Sequence, residues 1–170
     1  PAAQALEFLV LTAARSGEVR LATWREVNLR EGIWTIPATR MKARREHRVP
    51  LTERVLALIG PPPGNLDELI FPGRSVGKPL SETAFGALLE RMNHGAVTAH
   101  GFRSSFRDWA AEETTASHEV TEMALAHVIA NKAEAAYRRG DLLSKRRELM
   151  ELWEAYCLGR ALPGGGRTSI

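Results

Sequence analysis

Residues 99–140 read AHGFRSSFRDWAAEETTASHEVTEMALAHVIANKAEAAYRRG. The run opens on His100-Gly101-Phe102-Arg103, carries Leu125-Ala126-His127 in its middle and closes on Tyr137-Arg138-Arg139. Its first part has helical periodicity, with Thr98 as the expected N-cap. At about 100° per residue, Phe102, Phe106, Trp109 and Ala110 share one face, while His100, Arg103 and Arg107 share an adjacent one. A buried face beside a solvated one would account for this. The polar side, however, offers only nitrogen donors, without the lysine–glutamate mixture that solubility alone favours. One histidine and two arginines suit an anion.

Working outward, a polar break at Thr114–Ser117 precedes a second helix over Glu119–Ala126, with Val120, Met123 and Ala124 inside. His127 falls at its C-terminal edge, where the helix dipole favours a protonated imidazole. Asn131 and Glu134 make a capping box for a short helix that Gly140 stops. Tyr137 lies in its last turn. A tyrosine there reads either as a core-edge residue with a wet hydroxyl or as a reactive phenol. Asp141 is the expected cap of a last helix. Leu142, Leu143, Leu149, Met150, Trp153, Tyr156 and Cys157 form its apolar stripe, which serves this domain's own core or a neighbouring protomer. Residues 163–170 read as a disordered tail.

Toward the N-terminus, residues 2–14 form a helix with Leu6, Leu9, Val10 and Ala13 on one side. Arg15-Ser16-Gly17 interrupts it before a short helix over Glu18–Trp24. Arg15 thus sits at a helix end beside a glycine, as a surface charge, a carbonyl cap or a ligand group. Ile33–Pro37 and Arg48–Leu51 read as the arms of a β-hairpin. The long tip between them holds Arg40, Lys42, Arg44, Arg45 and His47. It is either a solvated end or a loop that reaches phosphate. Thr52 caps a helix with Val55, Leu56 and Ile59 inside, which Pro61-Pro62-Pro63 ends. Leu69–Pro72 is a candidate third strand. Ser81 caps a helix with Phe85, Leu88, Leu89 and Met92 facing inward.

The 170 residues, 44% hydrophobic and 25% charged, suffice for one domain with a real core. Net charge is +3 and the pI about 9.4, so the local clusters say more about nucleic acid than the balance does. Cys157 is the single cysteine, which rules out an internal disulfide and fits a reducing compartment. No signal peptide and no apolar run of membrane-spanning length is present. The chain starts at Pro1 rather than an initiator methionine, which suggests a piece of a longer protein.

Five elements in order carry a family resemblance. Thr12-Ala13-Ala14-Arg15-Ser16-Gly17-Glu18 resembles the first arginine motif of the tyrosine recombinases, the phage-integrase family. Lys42 matches the family's catalytic lysine on a basic hairpin. His100-Gly101-Phe102-Arg103 is similar to its HxxR box. Leu125-Ala126-His127 looks like the box that usually reads Leu-Gly-His. Tyr137 falls at the place of the nucleophile. The likeness runs from about Leu6 to Trp153 and is closest to integrases of prophages and genomic islands.

The resemblance implies an α+β, mainly α, helical catalytic domain with a small antiparallel β-sheet or hairpin. It covers residues 1–160, with residues 161–170 as a tail and the N-terminal DNA-binding domains absent. It implies the catalytic set Arg15, Lys42, His100, Arg103, His127 and Tyr137, with Glu18 supporting Arg15. Arg40, Arg44, Arg45, Arg107, Arg138 and Arg139 are the expected DNA contacts. The implied partners are double-stranded DNA at attachment sites and other integrase protomers in a tetrameric synapse, with no membrane. A bacterial cytoplasmic protein on the nucleoid would fit.

The residue types suit the implied chemistry, which is DNA integration or excision through a covalent 3′-phosphotyrosine. Attack on a phosphodiester gathers negative charge on its non-bridging oxygens, which preplaced cations meet. No metal and no other cofactor is expected, because the phosphotyrosine conserves the bond energy. The sequence shows neither a P-loop nor a clustered Asp/Glu set. Three other readings stay open: a non-catalytic DNA-binding module, a type IB topoisomerase-like enzyme, and a metal-dependent phosphodiesterase using His100, His118 and His127.

Overall fold

Why the two arginines of distant motifs can meet follows from how the first helix packs. The computed structural model describes residues 1–75, 77–127 and 140–160. Helix α1 (Ala2–Thr12) is apolar nearly all round, with Ala5, Leu6, Phe8, Leu9, Leu11 and Thr12 all buried. Such a helix belongs inside, between two layers. On one side lies a core with Phe8, Trp34, Ile36, Leu51, Phe71 and Phe85. On the other lies a second core of Phe106, Trp109, Val120, Leu125, Leu149, Met150 and Trp153. Val10 touches both, and its carbonyl accepts the Trp153 indole N–H at 2.8 Å.

The remaining elements follow in order: α2 (Ser16–Arg20), β1 (Val27–Asn28), β2 (Ile33–Ile36), β3 (His47–Pro50), α3 (Glu53–Ile59), α4 (Ala84–Arg91), α5 (Gly101–Glu113), α6 (His118–Ala124) and α7 (Leu143–Cys157). The strands form an antiparallel sheet in the order β1-β2-β3. Its register pairs Val27 with Trp34, Trp34 with Val49 and Ile36 with His47. The architecture is α+β and mainly α, as expected. The hairpin arms and the apolar face of α5 also fall where periodicity put them. Phe106, Trp109 and Ala110 are buried, while Phe102 packs part-buried on the first core. Among the described residues, no helix is long and apolar enough to cross a membrane.

Several local expectations fail for identifiable reasons. Leu69–Pro72 is no strand: Leu69 makes one bridge with Thr23 and Pro72 one with Pro79, and two prolines lacking N–H cannot extend a ladder. The third strand is β1. The short helix after Arg15 covers Ser16–Arg20, and Trp24–Glu26 forms a separate 3₁₀ turn. Helix α4 starts at Ala84 after Thr83 rather than at Ser81, and ends at Arg91, leaving Met92 exposed. Thr98 accepts the Gly101 N–H at 3.0 Å, but α5 starts only after His100. The Thr52 hydroxyl bonds Glu154 rather than capping α3.

Asp141 does not cap α7. Arg146 and Arg48 hold its carboxylate at 2.9 and 3.3 Å, and the helix begins after Leu142, whose φ is 53°. Leu149, Met150 and Trp153 of α7 are buried against α1, α5 and α6 of the same chain. Tyr156, placed on the stripe from sequence, is exposed but stacks on Trp153 at 5.6 Å between ring centres. The Asn131–Glu134 capping box and the tail at residues 163–170 lie outside the described residues.

Candidate active site

The turn between α1 and α2 supplies the first half of the site. Ala13 ends α1 with φ 50°, which turns the chain sharply and frees its carbonyl. Arg15 then stands at the N-cap of α2 in extended conformation. The buried Glu18 fixes it twice: one carboxylate oxygen accepts the Arg15 backbone N–H at 2.8 Å, the other accepts the guanidinium at 2.7 Å. The Arg15 side chain stays 30% exposed, so one edge of its planar fork remains open.

Helix α5 supplies the second half. Arg103 is only 5% exposed. Its guanidinium donates to the Ala13 carbonyl and, at 2.6 Å, to the Leu125 carbonyl, and lies 3.4 Å from His127 Nε2. Three of five N–H donors are thereby aimed at protein atoms, leaving two. Burial first, and then the like charge of Arg15, pull its pKa down to about 10, against the pull of Glu18 and Glu122. It therefore stays cationic at neutral pH.

The end of α6 completes the arrangement. The Ala126 N–H bonds the Met123 carbonyl at 3.1 Å and the His127 N–H bonds the Glu122 carbonyl at 2.9 Å. This is the Schellman pattern, and it needs a left-handed residue at Ala126, whose φ is 52°. His127 Nδ1 lies 2.8 Å from Glu122 Oε2.

Arg15, Glu18, Arg103 and His127 are thus brought together by three loops or helix ends. His100, three residues before Arg103 and one helical turn away, is exposed at the start of α5. Lys42, Arg44 and Arg45 are exposed on the hairpin tip. The loop's base is pinned beside Arg15: Met41 is buried, and Arg40 donates to the Glu18 carbonyl at 2.5 Å.

Two expected DNA contacts are otherwise engaged. Arg40 also pairs with Glu26 and is turned inward, its side chain 19% exposed. Arg107 pairs with Glu122 at 2.7 Å. The acids that hold them lie 14 and 15 residues away along the chain, beyond the reach of any helix or hairpin spacing rule. Tyr137, Arg138 and Arg139 lie outside the described residues. Among the described residues, no three His, Cys, Asp or Glu gather where they could hold a metal ion.

Sequence reasoning missed two residues at this site. His47 is half-buried on β3 and faces the Ala124 carbonyl. Burial first, with the charges of Arg146 and Arg103, pushes its imidazole down to about 4, against Glu18 and that carbonyl. It was read only as part of a basic tip. Glu122 was not singled out, although a glutamate five residues before a helix-ending histidine is where a Schellman turn returns the chain.

Comparison with known proteins shows the family. The model of the phage integrase family matches residues 1–141. The chain belongs to the phage integrase family. Prophage integrase IntZ of Escherichia coli (strain K12) is 35% identical over 165 residues, covering 95% of this chain and 40% of that protein. Prophage integrase IntA of the same organism is 38% identical over 148 residues, covering 85% of this chain and 36% of that protein. The integrase of Enterobacteria phage P4 is 32% identical over 171 residues, covering 89% and 39%. This phage-integrase chain therefore spans about two fifths of the relatives it matches. No solved structure gives a significant match to the chain.

Proposed function

We propose that this chain is the strand-cleaving domain of a site-specific DNA recombinase, acting in integration or excision of a mobile element. One observation carries the reading most: Arg103, buried and bonded to two backbone carbonyls, stands beside Arg15 and His127 at the foot of an exposed basic loop. Ordering a buried guanidinium costs desolvation. An anion that needs preplaced positive charge gives that cost a purpose.

In this proposal Arg15 and Arg103 hold the non-bridging oxygens of the scissile phosphodiester, with His100 as a further donor and His127 as the base that receives the Tyr137 proton. The Tyr137 hydroxyl attacks phosphorus as it gives up that proton. The bond to the 5′ oxygen breaks, and Lys42 protonates that oxygen, as an ammonium can and a guanidinium scarcely can. The product is a 3′-phosphotyrosine and a free 5′ hydroxyl. Attack by another strand's 5′ hydroxyl reverses the step. The phosphate bond energy is conserved, so no nucleotide is spent, and because the charge is met by side-chain cations, cleavage should persist in chelator.

The catalytic unit proposed is residues 1–160, working on double-stranded DNA beside other protomers in a tetrameric synapse. Arg44 and Arg45, joined by Arg138 and Arg139, are proposed to grip the backbone. On a nicked duplex that releases the 5′ fragment, the chain should form a covalent complex. Tyr137→Phe should abolish the complex and leave DNA binding intact. A variant that still forms it sinks the assignment; a duplex bound equally by both but never cleaved favours a binding module.

A further inference from the structure

The His127 ring is held by more than a recombinase pocket would require for packing. Its backbone N–H is bonded to the Glu122 carbonyl and its Nδ1 faces the Glu122 carboxylate, so one residue fixes both position and ring rotation. The other ring nitrogen lies 3.4 Å from an Arg103 amino group. An ionised carboxylate only accepts and a guanidinium only donates. The one arrangement that suits both neighbours has the proton on Nδ1 and a lone pair on Nε2. We propose that Glu122 is a positioning residue that holds His127 as the Nδ1–H tautomer and so presents Nε2 to the pocket. The assignment deepens the recombinase reading and rests on it for its catalytic meaning.

Other charged groups around Glu122 agree. Its side chain is 12% exposed, with Arg107 Nε 2.7 Å from the second oxygen and His118 close enough to act on it. Burial pushes the Glu122 carboxyl up, but the His127 hydrogen bond and the charges of Arg107 and, when protonated, of His127 and His118 outweigh it and hold the pKa below the usual carboxylate range. The group is thus ionised near neutrality, where a directed carboxylate selects a tautomer most strongly. A neutral imidazole without such a partner carries its proton mainly on Nε2, which would point a donor at Arg103.

Nitrogen-15 NMR of the DNA-free chain reads the tautomer directly, and trapping on the nicked duplex reads the consequence. The unsubstituted chain should show Nδ1–H at His127. Glu122→Ala should shift the ring toward Nε2–H and slow covalent-complex formation about 10-fold to 100-fold, the lower range of positioned proton transfer, without changing DNA affinity. Glu122→Gln keeps an acceptor for Nδ1–H and should restore much of both. Arg107→Gln breaks the other ion pair and should leave the tautomer alone, which separates ring selection from general support of α6. Nε2–H in the unsubstituted chain, or an unchanged ring in Glu122→Ala, overturns the assignment. No covalent complex from the unsubstituted chain, with the ring response intact, strikes at the recombinase reading and leaves the Glu122 assignment standing.

Discussion

Two cationic regions of this molecule differ in almost every physical respect. Around Arg103 each polar group has a named partner: Glu18 for the charge of Arg15, two carbonyls for that of Arg103, Glu122 for the His127 ring. On the hairpin tip, Lys42, Arg44 and Arg45 are exposed and their side chains have no ion pair or hydrogen bond with the described residues. The first region is preorganised and carries a desolvation cost; the second is solvated and cheap. A reaction on a phosphodiester needs both kinds, fixed charge where the reaction gathers it and free charge for capture.

The largest expected effect lies in the fixed region. Arg103→Ala strands the Ala13 and Leu125 carbonyls and should lower unfolding free energy by about 3 kcal/mol or more in denaturant titrations. Loss of cleavage with unchanged stability would mean that Arg103 does not tie the three helix ends together. Next comes acid sensitivity. The folded pKa of His47, about 4, lies below its unfolded value, so as pH falls below that unfolded value the unfolded chain takes up a proton that the fold refuses. Stability from this group is full above that pH and is lost down to about pH 4, by about 2–3 kcal/mol. His47→Asn should flatten that part of the melting-temperature profile; a parallel profile would contradict it.

The tip should behave oppositely. Arg44→Asn with Arg45→Gln should change stability by under about 0.5 kcal/mol. The same pair should lower the salt dependence of DNA binding by about two logarithmic units per unit. A large drop in melting temperature would erase the contrast between the regions. The smallest effect belongs to Ala126→Gly, which relieves a left-handed backbone at φ 52° and should stabilise by about 0.5–1 kcal/mol. A destabilised glycine variant would show that the alanine methyl matters more than the turn.

Much of this contrast could be read from the chain before folding. The apolar face of α5, the hairpin arms and the order of the five motifs depend on local periodicity and on residue type, which a sequence displays. What could not be read depends on partners brought from afar. Arg40 and Arg107 look like free cations until the fold delivers Glu26 and Glu122 to them. Asp141 looks like a cap until Arg48 and Arg146 claim it. His47 looks basic because residues 40–48 hold five cations, whereas in the fold those near it are Arg146 and Arg103. Short segments such as Leu69–Pro72 fail for a related reason: apolar content marks burial, not the N–H groups that a ladder requires.

The central claim is that Tyr137 becomes linked to phosphate at the pocket formed by Arg15, Arg103 and His127. Trapping the chain on a nicked duplex, digesting both polymers and mapping the modified peptide by mass spectrometry tests it most directly. The account predicts a nucleotide attached to the Tyr137 phenol. Attachment to Tyr156, or to any residue other than Tyr137, would contradict it.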